Sequence, residues 1–400
     1  MLIRRVLTVM ALIVAFAPGC SKDPLSGRVK ELEERVNTLE TSAEEQRQML
    51  LERLNSIEVT AENAQEIAEI AQKLQKPELT ATDITQLEVR IAQLEQIYVD
   101  WSSVNSRLAY AVYAVLWGLS LPNGDYEVSF IGTAFAVDDT KLLTNAHIID
   151  ALVKWDEELW AFNDTYKTTL FSDWLVVRNK TTRLYYKYNY YYIWWYRTHT
   201  DWNPDDLESP DVGYLKIRES RIYLKATLAS DSEVYRLKEG QRIATLGFPG
   251  ELQGGILDNL YPIATFKDGT ISAIRPWFPG LTSIADKYII QHNLDLSGGT
   301  SGSPIYNTAG KVIAVNNAGI DVAVFTIGGA PTTVSQAALG FGIRIDKANE
   351  LLSMASKPVA LEAHGKEETI ELLEGRDIRT LKWSKPSTIL KKLAKLYKEK

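Results

Sequence analysis

The sequence has almost no cysteine and little histidine, and each shortage removes a class of protein. Cys20 is the only cysteine among 400 residues, so no intrachain disulfide can form and no cysteine-based zinc site can exist. The four histidines, His147, His199, His292 and His364, are scattered without a His-Glu-x-x-His pattern. Neither a metal nor a cofactor is expected. Cationic excess is missing too. Forty-four Lys and Arg stand against 51 Asp and Glu, a net charge of −7, which argues against a nucleic-acid partner. The one leading apolar run, Val6 to Phe16, is too short for a comfortable membrane span. What remains, 45% hydrophobic and 24% charged residues, is ordinary globular composition.

The first twenty residues read as an address. Arg4 and Arg5 precede the apolar run, as in the n- and h-regions of a signal peptide. Two cleavage readings compete. Ala15-Phe16-Ala17 fits ordinary signal peptidase, whereas Ala17-Pro18-Gly19-Cys20 resembles a bacterial lipobox whose cysteine becomes the lipidated first residue. The position of the sole cysteine at the end of the apolar run favours lipidation of Cys20 and a membrane anchor, facing the periplasm. Secretion is the alternative.

From Val29 the apolar residues keep a 3-4 rhythm. One seam runs Val29, Val36, Ala43, Leu50, Ile57, Ala64, Ala71, and the other Leu32, Leu39, Gln46, Arg53, Thr60, Ile67, Leu74. A rhythm so sustained predicts an α-helical coiled-coil stalk over residues 21–103, interrupted at Pro77. Such a stalk either self-associates into a homo-oligomer or folds back on itself as a hairpin. Beyond it, β-type runs such as Val128 to Val137 and Lys311 to Val315, punctuated by Gly and Pro, predict a mainly β domain over 104–355, a barrel or a sandwich. The Trp- and Tyr-rich stretch 155–202 reads as aromatic strands and a hairpin packed on that domain, or else as a surface that grips substrate. Residues 356–400 form a basic tail with a helical apolar stripe, Ile389, Leu390, Leu393, Leu396 and Tyr397. It suits an anionic surface or a docked helix.

Three short motifs carry chemistry. Leu142-Leu143-Thr144-Asn145-Ala146-His147 ends a strand on a histidine. Ser209-Pro210-Asp211-Val212-Gly213 puts an acid before an apolar strand. Gly298-Gly299-Thr300-Ser301-Gly302-Ser303-Pro304 is a glycine-rich turn that carries a serine. A serine hydroxyl is a weak nucleophile and needs an adjacent base. Histidine suits that role because its pKa lies near neutral pH. A carboxylate fixes its tautomer, and glycines allow backbone N–H groups to converge on a developing oxyanion.

In the order His, Asp, Ser, these motifs resemble the chymotrypsin (trypsin-like) serine protease family, in its bacterial disulfide-free branch of HtrA-type and glutamyl-endopeptidase-like enzymes. Leu246-Gly247-Phe248-Pro249-Gly250, Asp268-Gly269-Thr270-Ile271-Ser272 and Phe341-Gly342-Ile343-Arg344 extend the likeness over about Val104 to Leu352, and no PDZ segment resembles anything in the chain. The resemblance implies two six-stranded β-barrels with the site between them. It implies His147 as general base, Asp211 as its orienter and Ser301 as nucleophile, with the N–H groups of Gly299 and Ser301 as oxyanion hole. Asp295, six residues before Ser301, would floor the specificity pocket, and Asn316 and Asn317 would wall it. The expected function is a serine endopeptidase of the bacterial envelope acting on protein or peptide. The rivals are a protease-fold sensor with latent or no activity, and a structural lipoprotein.

Overall fold

In a computed structural model the chain is described at residues 44–55, 57, 59, 63–76, 79–186, 188–206, 209–218, 222–249, 263–276, 283–294, 299–319, 323–324, 332–333, 340–354, 357–361, 373–378 and 381–398. Cys20, the heptads before residue 44, Asp295, Gly298 and His364 lie outside these residues. The chain divides into two units, Met1–Val99 and Asp100–Lys400.

The first unit is helical. A helix over 44–55, Ala64–Leu74 and Ala81–Tyr98 share one apolar cluster of Leu50, Leu54, Ile57, Ile70, Leu74, Leu87, Ile91 and Leu94. Within the described residues, the helix that the rhythm carries as far as Pro77 is broken earlier. Ile57, beyond the helix over 44–55, makes an isolated β-bridge with Val99. A new helix starts at Ala64. Thr80 caps the last helix through a capping box with Asp83, which fixes a fresh start there. Among the described seam residues, Leu50, Ile57 and Leu74 are buried in this cluster, and Glu66 pairs with Arg90 at 3.0 Å across two helices.

The second unit consists of two closed barrels. The first contains β1 (Val112–Ser120), β2 (Tyr126–Ala136), β3 (Lys141–Thr144), β4 (Ser172–Arg178), β5 (Tyr190–Thr198) and β6 (Gly213–Ile217). They pair in the ring β1-β4-β5-β6-β3-β2, closed by β1 against β2. The short β7 (Thr227–Leu228) then leads to the second barrel. That barrel contains β8 (Arg242–Gly247), β9 (Thr265–Arg275), β10 (Ile289–His292), β11 (Pro304–Asn307), β12 (Lys311–Gly319) and, after the two-residue strands β13 (Ala323–Val324) and β14 (Thr332–Thr333), β15 (Gly340–Arg344). Its ring β11-β8-β9-β10-β15-β12 is closed by β11 against β12. This is the pair of six-stranded barrels expected.

Alternation in β1 explains how the first barrel is covered. Val112, Ala114 and Leu116 point into the cluster that runs through both barrels, while Tyr113, Val115, Trp117 and Leu119 point outward into a second cluster. An outward apolar face needs a lid, since each large side chain left in water forfeits about 1.5–3 kcal/mol. The helix Ala146–Tyr166 and the C-terminal helix Pro386–Lys398 supply it through Ile149, Leu152, Leu159, Ile389 and Leu393.

The basic C-terminal stretch is accordingly no free tail. β16 (Val359–Ala360) pairs with β5, and β17 (Lys382–Trp383) with β2. Lys392 donates to Glu127 at 2.8 Å. The aromatic stretch also differs from the strands expected. Trp155 and Trp160 lie on the helix Ala146–Tyr166, and only the later aromatics form strands, with Tyr190 and Tyr192 inside the barrel.

Candidate active site

His147 follows β3 and sits in the first turn of the helix Ala146–Tyr166, where backbone N–H groups lack intrahelical acceptors. Asp211 satisfies one of them: its Oδ1 accepts the His147 N–H at 2.9 Å, while its Oδ2 lies 2.6 Å from His147 Nδ1. A carboxylate only accepts, so Nδ1 carries the proton and Nε2 keeps its lone pair. Asp211 is buried while the His147 side chain is 38% exposed, which leaves the ring accessible from the cleft. The loop that carries Asp211 is anchored by Asn145, whose Nδ2 donates to the Asp211 carbonyl at 2.8 Å. Two residues on, Gly213 lets β6 approach the helix. A Cβ there would meet Ile149 Cδ1 at 2.5 Å and the Arg197 carbonyl at 3.0 Å. One turn along the helix, Asp150 accepts from Trp202 Nε1 at 2.7 Å. Burial raises its pKa despite that bond, and the nearby charge of Asp211 adds to the rise.

The serine turn is held from both barrels. Gly299 and Gly302 have φ of +90° and +82°, backbone that glycine adopts without strain. The Thr133 N–H donates to the Ser301 carbonyl at 2.9 Å, and Thr133 Oγ1 donates to the Gly299 carbonyl at 3.0 Å. Thr133 Oγ1 in turn accepts the Phe248 N–H, and the Thr133 carbonyl accepts from Thr144 Oγ1 at 2.7 Å. From the other side, the Gly302 N–H donates to the Asn316 carbonyl at 2.9 Å, and the Asn316 N–H to the Ser303 carbonyl at 2.8 Å. Among the described residues no acceptor takes the N–H of Gly299 or of Ser301. Ser301 Oγ donates to the Asn317 carbonyl at 2.8 Å, not to His147. That carbonyl is available because β12 bulges against β15 between Asn316 and Ala318, which leaves Asn317 without a register partner.

Of the residues singled out in the sequence, His147 and Asp211 are in direct contact, and Ser301 is joined to the first barrel through Thr133. Asn317 reaches Ser301 through its main chain. Asn316 is only 1% exposed and donates from Nδ2 to the Thr300 carbonyl at 3.0 Å, so its side chain serves the turn instead of walling a pocket. Thr133 and Asn145 escaped the sequence reading. Asn145 sits within a quoted motif and Thr133 within the run Val128 to Val137, but neither pattern says that a side chain will be spent on a backbone carbonyl far away in sequence.

Two other features bear on ligands. His199 is buried, with Asp201 and Glu350 close enough for the three to share an ion. Its Nδ1 accepts the Asp201 N–H at 3.2 Å, so Nε2 carries the proton and faces Glu350 at 3.5 Å. A cavity of about 270 Å³ beside Asp156, Trp160, Phe171, Trp174 and Tyr196 is lined by none of the residues of the serine site.

Residues 132–315 match the family model for the trypsin-like peptidase domain. No curated protein sequence matches. Among solved structures, the HtrA-type protease AlgW with decapeptide aligns at 20% identity and a TM-score of 0.40, covering 64% of this chain and 66% of that one. A variant of that protease, also with decapeptide, aligns at 19% identity with the same coverage and TM-score. The chain thus spans just under two thirds of the length of either.

Proposed function

Residues 132–315 belong to the trypsin-like peptidase family, and on that footing we propose that the chain is a serine endopeptidase of the bacterial envelope. The observation that carries the proposal is the pair of hydrogen bonds that Asp211 accepts from the backbone and ring of His147, which fixes both tautomer and orientation. In the reaction, Ser301 Oγ turns from the Asn317 carbonyl toward His147, gives its proton to Nε2 and attacks the scissile carbonyl. Giving up that one hydrogen bond costs about 1 kcal/mol. The amides of Gly299 and Ser301 receive the oxyanion, where each such donor is worth roughly 2.7–4 kcal/mol. The protonated His147 then gives its proton to the leaving amine, and water releases the acyl group by the same steps in reverse order of partners.

The finer assignments rest on sequence. Arg4, Arg5 and Cys20 support export and a lipid anchor. Asp295 would select Lys or Arg before the scissile bond, because a desolvated cation needs a counter-charge. Self-association falls to the heptads before residue 44, since Leu50, Ile57 and Leu74 are already buried within the chain. A second reading, a latent protease-fold sensor, is favoured by the bond that holds Ser301 Oγ on Asn317. A serine-reactive fluorophosphonate separates the two. Covalent labelling of Ser301 supports the peptidase, and an unlabelled folded protein supports the latent form.

A further inference from the structure

A buried amide side chain next to an active turn needs a reason, because it is dear to desolvate. Asn316 sits in an apolar run, after Ile313, Ala314 and Val315, all fully buried. Its Oδ1 makes no hydrogen bond of good geometry, although the buried ring of His292 is its neighbour. The other end of the side chain is engaged. Nδ2 lies 3.0 Å from the Thr300 carbonyl and 3.3 Å from Thr300 Oγ1.

The Thr300 carbonyl belongs to the same peptide plane as the Ser301 N–H. In a planar trans peptide the C=O and N–H point in opposite directions. Tying the carbonyl to a side chain in the interior therefore aims the Ser301 N–H the other way. That N–H is one of the two with no acceptor among the described residues. Asn316 also holds the turn on its far side through its own backbone, to Gly302 and Ser303. The Thr300 carbonyl also accepts the Ser303 N–H at 3.1 Å within the turn, so the Asn316 amide is the second of two donors that set the rotation of the Thr300–Ser301 plane.

We infer that Asn316 is a positioning residue for the oxyanion hole: its amide clamps the Thr300 carbonyl so that the Ser301 N–H stays aimed at the developing negative charge. This rests on the peptidase reading above. Without the Asn316 amide the Thr300 carbonyl keeps only the Ser303 N–H, and a plane that rotates on that single bond turns the Ser301 N–H away from the oxyanion. The clamp acts on charge development, so it weighs on the transition state far more than on the bound substrate.

The test uses the full chain and two variants, Asn316→Leu, which deletes the donor, and Asn316→Asp, which keeps the shape but sets an oxygen against the Thr300 carbonyl. Wild type and variants are compared for kcat and KM on a peptide substrate, and for affinity toward a peptide boronate, whose tetrahedral adduct with Ser301 carries an oxyanion-like oxygen. Tryptophan emission and circular dichroism monitor the fold. The expected result is a fall in kcat of about 10²–10³-fold, the loss known for one oxyanion donor. KM should stay within about threefold, and boronate affinity should fall in step with kcat. A folded variant of either kind whose kcat and boronate affinity stay within about threefold of wild type would overturn the inference. So would a loss confined to KM. If Asn316→Leu does not fold, the isosteric Asn316→Asp decides alone. A wild type that fails to label with fluorophosphonate removes the peptidase reading and this inference with it. A labelled wild type beside unaffected variants removes only the role of Asn316.

Discussion

Acid should destabilise the barrels through one histidine, His292. It ends β10, opposite Ile271 of β9 and Gly340 of β15, and is fully buried. Burial drives its pKa down to about 4, although the neighbouring Asn316 amide pulls slightly the other way. Unfolded, the ring titrates near 6.5. The sign follows directly. Between the two values the unfolded chain binds a proton that the folded chain refuses, so the contribution is fully present above pH 6.5 and is lost as pH falls toward 4. Integrating between pH 7 and pH 5 gives a loss of about 2 kcal/mol from this group, rising to about 3 kcal/mol below pH 4. The ten tryptophans all lie at Trp101 or later. Urea unfolding followed by tryptophan emission therefore reads the barrel unit without the helical one. The comparison is wild type against His292→Phe, which keeps a ring and removes the titration. Groups common to both proteins cancel in the difference. The pH 7 to pH 5 loss should be about 2 kcal/mol larger in wild type. Equal losses in the two proteins would refute the reasoning, since they would mean that the buried ring takes up its proton as easily as the unfolded one.

Three further outcomes are expected. Gly302→Ala places a Cβ 2.0 Å from the Thr133 carbonyl and 2.4 Å from Thr144 Oγ1 at a φ of +82°. It should cost roughly 2–5 kcal/mol in urea unfolding, from the backbone penalty and overpacking together, and abolish peptide cleavage because the residue before it is Ser301. Asp211→Asn can no longer accept at both His147 N and Nδ1; kcat should drop by about 10⁴-fold, and a loss under tenfold contradicts the assigned tautomer. Cys20→Ser should yield a protein without lipid mass that no longer sediments with membranes, whereas a wild type that begins at Pro18 without lipid would favour ordinary signal-peptidase cleavage.

Much of the site was readable because its chemistry is local. A histidine at a strand end, an acid before a strand and a serine in a glycine turn are short patterns whose spacing survives any packing. The β-type runs Val128 to Val137 and Lys311 to Val315 likewise announce strands. Longer-range consequences were not legible. The heptad rhythm through Ile57 continues on paper, yet those same apolar residues bury as well inside one chain as between chains, and Thr80 with Asp83 offers a new helix start. The C-terminal stripe of Ile389 and Leu393 signals an amphipathic helix but not its partner, which is the outward face of the first barrel. Trp155 and Trp160 suggested strands by residue type, but they continue the helix that begins at Ala146. Asn316 looked like a pocket wall by alignment with a pattern, and only its burial and its bond to Thr300 reveal what the side chain does.

The central claim is that Ser301, activated by His147 and Asp211, is the nucleophile of a peptidase. Its most direct measurement is intact-protein mass after exposure to a fluorophosphonate, with the modified peptide sequenced. The account predicts one adduct, on Ser301, in wild type, and none in Ser301→Ala or His147→Ala proteins that keep the wild-type tryptophan emission. An adduct on another serine, or equal labelling of Ser301→Ala, would contradict it.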